Sequence, residues 1–133
     1  MWNPKNPSVA NVEKLKRKID KLRKGTIVRL GGMTDCFQPI ELDNRITYKI
    51  IKYLNKRRIG YLIVTKSSIV ANDEYLKVYD KDLAHFQITV TTTDDSKSVK
   101  YEKATVPSKR IEAIEKLYKN GFDVQVRLSP FIY

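Results

Sequence analysis

The chain has 133 residues, 41% apolar and 31% charged, which supports one modest domain. Lys and Arg total 26 against 15 Asp and Glu, and the resulting net charge of +11 favours anionic partners. One cysteine excludes an internal disulfide framework and cannot alone hold zinc or an iron–sulfur cluster; no apolar run approaches the ~18 residues of a membrane span, and no hydrophobic signal segment opens the chain, so a cytoplasmic location without membrane association is expected.

Residues 1–11 are polar, contain Pro4 and Pro7, and read as an N-terminal arm; residues 12–133 read as one domain. Val12, Leu15, Ile19 and Leu22 recur at helical spacing among seven basic side chains, with Asn11 or Ser8 as cap and Gly25 ending the helix. A short strand over 26–30 follows, punctuated by Gly31-Gly32. The pattern predicts a helix over 45–58, capped by Asp43 or Asn44, with Ile46, Ile50, Ile51 and Leu54 inward. Gly60 precedes a strand over 61–65, and a shorter helix from about 72 buries Leu76 and Tyr79. A strand over about 85–92 leads into a long polar loop, 93–107. Ser108 then caps a helix whose inward face is Ile111, Ile114, Leu117 and Tyr118, ending at Asn120-Gly121. Phe122, Val124, Val126 and Leu128 form the last strand, which exits at Pro130.

This alternation, with strand starts near 26, 61, 85 and 122, predicts an α/β fold of parallel βα repeats with about four strands. Four parallel strands leave two open edges, so the sequence reads as the middle of a larger sheet. Flanking segments, a complementary subunit or self-association through those edges are the expected partners.

In parallel α/β folds the strand C-termini build the ligand site. Here they carry Gly31 to Glu41, Thr65 to Ser68, Thr91 to Asp95, and Arg127 to Pro130. Gly31-Gly32 is either a simple turn or a place of close ligand approach. Thr34, Asp35 and Glu41 are either caps and loop hydrogen bonders or ligand contacts. Lys66 is either solvated or paired with a ligand carboxylate. The 91–95 run either caps a helix or binds a sugar diol, and Arg127, inside an apolar strand, needs a partner. Cys36 reads as a small packing residue and His85, on the opposite rim, as structural. The basic first helix is either a solvated face or a track for nucleic acid.

The run Gly31-Gly32-Met33-Thr34-Asp35-Cys36-Phe37-Gln38-Pro39-Ile40-Glu41 resembles the segment after the second strand of radical S-adenosylmethionine (SAM) enzymes of the spore photoproduct lyase-like group. The segments at 65–67, 89–95 and 127–130 resemble the ends of that group's third, fourth and fifth strands, in matching order and spacing. The resemblance implies a partial TIM-like barrel from a parent that binds SAM and a [4Fe–4S] cluster and cleaves SAM reductively to a 5′-deoxyadenosyl radical, with lesion repair as a possible context. Carried over by position, Gly31, Gly32 and Met33 meet the methionine part of SAM through backbone groups, Thr34 and Asp35 lie beside it, and Lys66 and Ser67 stand near its amino-acid end. Thr91 and Thr93 approach the ribose, and Arg127 faces SAM from the fifth strand.

The sequence departs from the group in one decisive respect: the C-x3-C-x2-C loop and the strand before it are absent, and Cys36 stands where the group commonly has proline. The chain alone is therefore expected to lack cluster ligands and radical chemistry, and no catalytic residue is assigned. The alternative is a non-catalytic basic module binding nucleic acid, a nucleotide or a partner protein. An unrelated phosphate-binding domain ranks lower, since neither GxxxxGK nor GxGxxG occurs.

Overall fold

The computed structural model describes residues 10–31 and 34–128. Four strands, β1 (Ile27–Leu30), β2 (Gly60–Thr65), β3 (Ala84–Thr89) and β4 (Asp123–Arg127), form one wholly parallel sheet in sequential order. Sequential parallel strands joined by crossovers of one hand place all connecting helices on one face, as in a (β/α) barrel that has not closed. The register puts Tyr61, Ile63, Ala84, Phe86 and Ile88 on that face, and all are buried. The opposite face is far more polar. It carries exposed Arg29, half-buried His85 and Gln87, and exposed Asp123 and Gln125.

The helices are α1 (Val12–Asp20), α2 (Glu41–Asn44), α3 (Ile46–Arg57), α4 (Asp73–Val78), α5 (Asp95–Tyr101) and α6 (Pro107–Lys119), with a 3-10 turn at Ser68–Ala71. Asn11 caps α1 by accepting the Lys14 N–H at 3.1 Å. That helix stops at Asp20, short of Leu22, and Gly25 with φ +86° belongs to the turn before β1. The inward face of α3 is as expected, with Ile50, Ile51 and Leu54 buried. Its N-terminus is not: neither Asp43 nor Asn44 caps it. Arg45 turns the chain at φ 58°, and the Glu41 carboxylate satisfies the first N–H groups of α3.

Three further expectations need correction. The 93–107 stretch is not all loop, because Asp94 accepts the Lys97 N–H at 3.1 Å and starts α5. Ser108 is inside α6 rather than its cap; Pro107 occupies the first turn, and the Ser108 N–H and hydroxyl bond Asp95 at 2.9 and 2.6 Å. The buried face of α6 is Pro107, Arg110, Ala113 and Leu117, whereas Tyr118 is 75% exposed.

The sheet edges differ from its centre. β2 and β3 are mostly buried, but on β1 Ile27 is 58% exposed and on β4 Val126 is 51% exposed. An aromatic cluster of Phe37, Tyr75, Tyr79, Phe86 and Phe122, in mostly edge-to-face contacts, joins the helix layer to the sheet. Among the described residues no helix is long and apolar enough to cross a membrane.

Candidate functional site

At the C-terminal ends of the strands lies an open cleft of about 300 Å³, lined by Gly31, Thr34, Asp35, Val64, Thr65, Lys66, Thr89 and Arg127. That volume is at the small end of the ~300–1,000 Å³ usual for ligand sites. Half of the lining comes from the loops that leave β1 and β2, and the other half, Val64, Thr65, Thr89 and Arg127, from the ends of β2, β3 and β4. Gly31 has φ +88°, and a Cβ there would stand 2.2 Å from the Val64 carbonyl oxygen. Backbone packing against β2 therefore demands glycine at this turn, whatever the cleft holds.

Asp35 fastens the same loop. One carboxylate oxygen accepts the Phe37 N–H at 2.9 Å and the Thr65 hydroxyl at 2.6 Å, and the other accepts the Lys66 N–H at 2.8 Å. With both oxygens engaged, Asp35 shapes the cleft more than it offers itself to a ligand. Thr65 extends the chain of bonds by accepting the Ser67 N–H at 3.0 Å. Ser67 is itself fully buried and accepts the Ile69 N–H at 3.2 Å, which starts the 3-10 turn.

Lys66 lines the cleft, but its ammonium lies 2.6 Å from Glu102, on the loop after α5. The second Glu102 oxygen pairs with Arg110 at 2.6 Å. Burial alone would raise the Glu102 pKa; the hydrogen bonds and charges of Lys66 and Arg110 outweigh it and bring the group down to about 2, from an ordinary 4.5. Arg110 is wholly buried and also donates to the carbonyls of Thr89, at 3.0 Å, and Thr105. It ties the end of β3 to α6 and the α5–α6 loop.

The expected site residues thus fall into groups. Gly31, Thr34, Asp35, Lys66 and Arg127 meet at the cleft. Arg127 is exposed, not buried in its strand as the apolar alternation suggested, because β4 is an edge. Ser67 and Thr91 are buried and outside the lining, and Thr93 is exposed. Gly32 and Met33 lie outside the described residues. Thr91 Oγ1 is fully buried and has no hydrogen-bond partner among the described residues.

Of the remaining candidates, Glu41 is a buried cap: it accepts the N–H groups of Thr47 and Tyr48, both at 2.9 Å, and the Tyr75 hydroxyl at 2.6 Å. Burial, with nearby Asp35 and Glu41, pushes the Cys36 thiol pKa well up, which makes it a packing residue and a poor thiolate ligand. His85 pairs with Asp123 at 3.0 Å at the other end of the sheet. Thr65 and Thr89 fall within the strand-end runs read from the sequence without being singled out, whereas Glu102 and Arg110 are missed; of those two only Arg110 leaves a signal, as a basic residue in register with Ala113 and Leu117.

The residues do not fit a resident iron–sulfur cluster, since the chain has a single cysteine and no group of metal-ligating side chains occurs among the described residues. They fit part of SAM: a small polar cleft with an exposed guanidinium, Arg127, in its lining.

The fold and the cleft together define a partial, unclosed TIM-like barrel of the type in spore photoproduct lyase. A Cys-to-Ser mutant of that lyase superposes with a TM-score of 0.70 over 90% of this chain and 36% of its own, at 14% identity. A Cys-to-Ala mutant gives 0.65 over 90% and 34%, at 16% identity. In sequence, the chain is 32% identical over 108 residues to the uncharacterized protein MJ0683 of Methanocaldococcus jannaschii. The match covers 79% of this chain and 40% of that protein. No family model matches the chain.

Proposed function

We propose that these residues are the SAM-binding centre of a radical SAM protein, with the strand-end cleft taking the amino-acid end of the cofactor. The observation that carries this reading is the meeting of Gly31, Thr34, Asp35, Lys66 and Arg127 in one cleft on this fold. Asp35 holds the loop in shape, Gly31 and its neighbours Gly32 and Met33 offer backbone groups, and Thr34 and Arg127 face the ligand. Lys66 contributes charge from its pair with Glu102, Ser67 fixes the turn behind it, and Thr91 and Thr93 border the ribose side.

Bound SAM supplies a sulfonium that a one-electron donor can cleave. These residues hold no such donor, so their part is to bind and orient. The thiolates for a cluster would come from polypeptide outside the 133 residues, and the reaction of the whole protein would be radical chemistry of the lyase kind.

Equilibrium dialysis of the chain against SAM and against S-adenosylhomocysteine tests the assignment. Saturable binding is expected, weakened about tenfold by Arg127→Ala through loss of one charge-assisted hydrogen bond. Absence of saturable binding by both compounds, or an unchanged affinity in the variant, would overturn it.

A further inference from the structure

The positive charge of the chain is concentrated in two helical segments. Residues 12–24 contain seven Lys or Arg and two acids, and residues 46–58 contain five and none, so together they hold +10 of the net +11. The two segments are α1 and α3 with their exits, and they lie side by side. Asp20 of α1 pairs with Arg57 of α3 at 3.4 Å and accepts the Tyr53 hydroxyl, while the Lys16 ammonium stands 5.3 Å from the centre of the Tyr53 ring.

The cations sit opposite the core on both helices. Lys14, Lys18 and Lys21 on the α1 side, and Lys49, Lys52 and Lys56 on α3, are all exposed, each set spaced by three or four residues so that it forms a stripe. None of the six forms an ion pair among the described residues. The acids are already engaged: Glu13 with Lys16 at 3.5 Å and Asp20 with Arg57. Two adjacent stripes of free lysine, on the outer helix layer and away from the cleft, are the result.

We propose that this α1–α3 face binds the sugar–phosphate backbone of double-stranded nucleic acid. A duplex presents one charge per ~1.7 Å of axis, a density that two lysine stripes can neutralise with release of counterions. An α-helix of the length of α3 runs about 18 Å and so covers about ten such charges. A membrane surface fits less well, because interfacial helices also insert apolar side chains. Leu22, at 37%, is the only exposed large hydrophobic on these two segments. Single strands fit less well too, since they need exposed aromatic platforms, and Tyr48 and Tyr53 are half-buried, lying under Arg45 and Lys16. The contacts are to phosphate, so binding is independent of base sequence. The surface is separate from the proposed SAM cleft and stands or falls without it.

The test compares two variants of equal net charge by fluorescence anisotropy with a labelled duplex at several salt concentrations. One replaces Lys14, Lys18, Lys21, Lys49, Lys52 and Lys56 by Gln. The other replaces six exposed lysines elsewhere by Gln: Lys77, Lys81, Lys100, Lys103, Lys109 and Lys119. Far-UV circular dichroism checks that both keep their helix content. The parent is expected to bind with a steep salt dependence. The face variant should weaken at least about tenfold at low salt, and its salt slope should flatten by about one for each phosphate it no longer neutralises, while the control stays near the parent. Equal weakening in both variants would reduce the effect to net charge and overturn the proposal. So would tighter binding to the matching single strand, to anionic phosphatidylserine vesicles or to polyglutamate, or no binding to the duplex at low salt.

Discussion

Glu41 and Glu102 are two acidic side chains drawn in beside the strand ends, and they are held by opposite means. Glu41, 4% exposed, is met by two backbone N–H groups at the start of α3 and by the Tyr75 hydroxyl, with no cation bonded to it among the described residues. Glu102 is met by two cations, Lys66 and Arg110. The first arrangement uses the orphan donors and the dipole of a helix N-terminus, so its backbone partners lie six and seven residues along the chain. The second bridges 36 residues to the loop after β2. Glu41 therefore caps a helix of its own crossover and reaches the next only through the Tyr75 hydroxyl, 34 residues away, whereas Glu102 joins two crossovers beside the cleft through a pair of charges.

The largest expected effect comes from removing the cation that is wholly buried. Arg110→Met leaves Glu102 short of a partner and strips donors from the Thr89 and Thr105 carbonyls. Breaking a buried pair from one side costs ~3–5 kcal/mol. Urea unfolding should show a loss of stability of that size, read as the midpoint shift times the m-value, and the double variant Arg110→Met, Glu102→Leu should recover part of it, because the stranded charge is gone. A loss below ~1 kcal/mol in the single variant would mean that Arg110 does not organise this corner.

A smaller loss is expected on the other side of the comparison. Glu41→Gln keeps the shape but turns one acceptor into a donor, which then faces an N–H of Thr47 or Tyr48, or the Tyr75 hydroxyl. One buried donor left unsatisfied costs ~1–3 kcal/mol. The same substitution removes the carboxylate charge of Glu41, which, with burial and the hydrogen bond to Glu41, raises the Tyr75 pKa. An ultraviolet titration should therefore show Tyr75 ionising at lower pH than in the parent. An unchanged tyrosine titration would show that the Glu41–Tyr75 contact is not formed.

The two clusters also differ in how much of them the sequence reveals. The alternation of β-branched runs with helical stripes is strong enough to place all four strands and α1, α3, α4 and α6, since burial of those residues drives the fold. The helix α5 escapes because Asp95–Tyr101 has no apolar stripe, and its large hydrophobics, Val99 and Tyr101, are more than 60% exposed. The face of α6 is misjudged because its inward row contains Arg110, which hydropathy places outside. Arg127 is misjudged for the converse reason: apolar alternation in β4 predicts burial, yet an edge strand has no neighbour to supply it. Within the candidate site, Gly31, Thr34 and Asp35 are legible as parts of one short motif. The Lys66–Glu102–Arg110 link is not, because a contact across 36 residues leaves no local pattern.

The finest distinction between the two carboxylates is their response to acid. Lys66, whose side chain is 36% exposed, shares Glu102 with the fully buried Arg110, so Lys66→Met should cost only ~1 kcal/mol or less at neutral pH. Its effect on the pH profile is more telling. Glu102 has a folded-state pKa of about 2 against an ordinary 4.5, so its contribution to stability is fully present above about 4.5 and disappears as pH falls toward 2. Without Lys66 one of the two groups that lower this pKa is gone, and the folded value moves back up. The Glu102 contribution becomes smaller, and its loss is complete at a higher pH. Melting temperatures of parent and variant between those pH values should therefore converge as the solution becomes more acidic. Profiles that stay parallel would show that Lys66 does not hold Glu102, leaving its ammonium free to meet a ligand in the cleft directly.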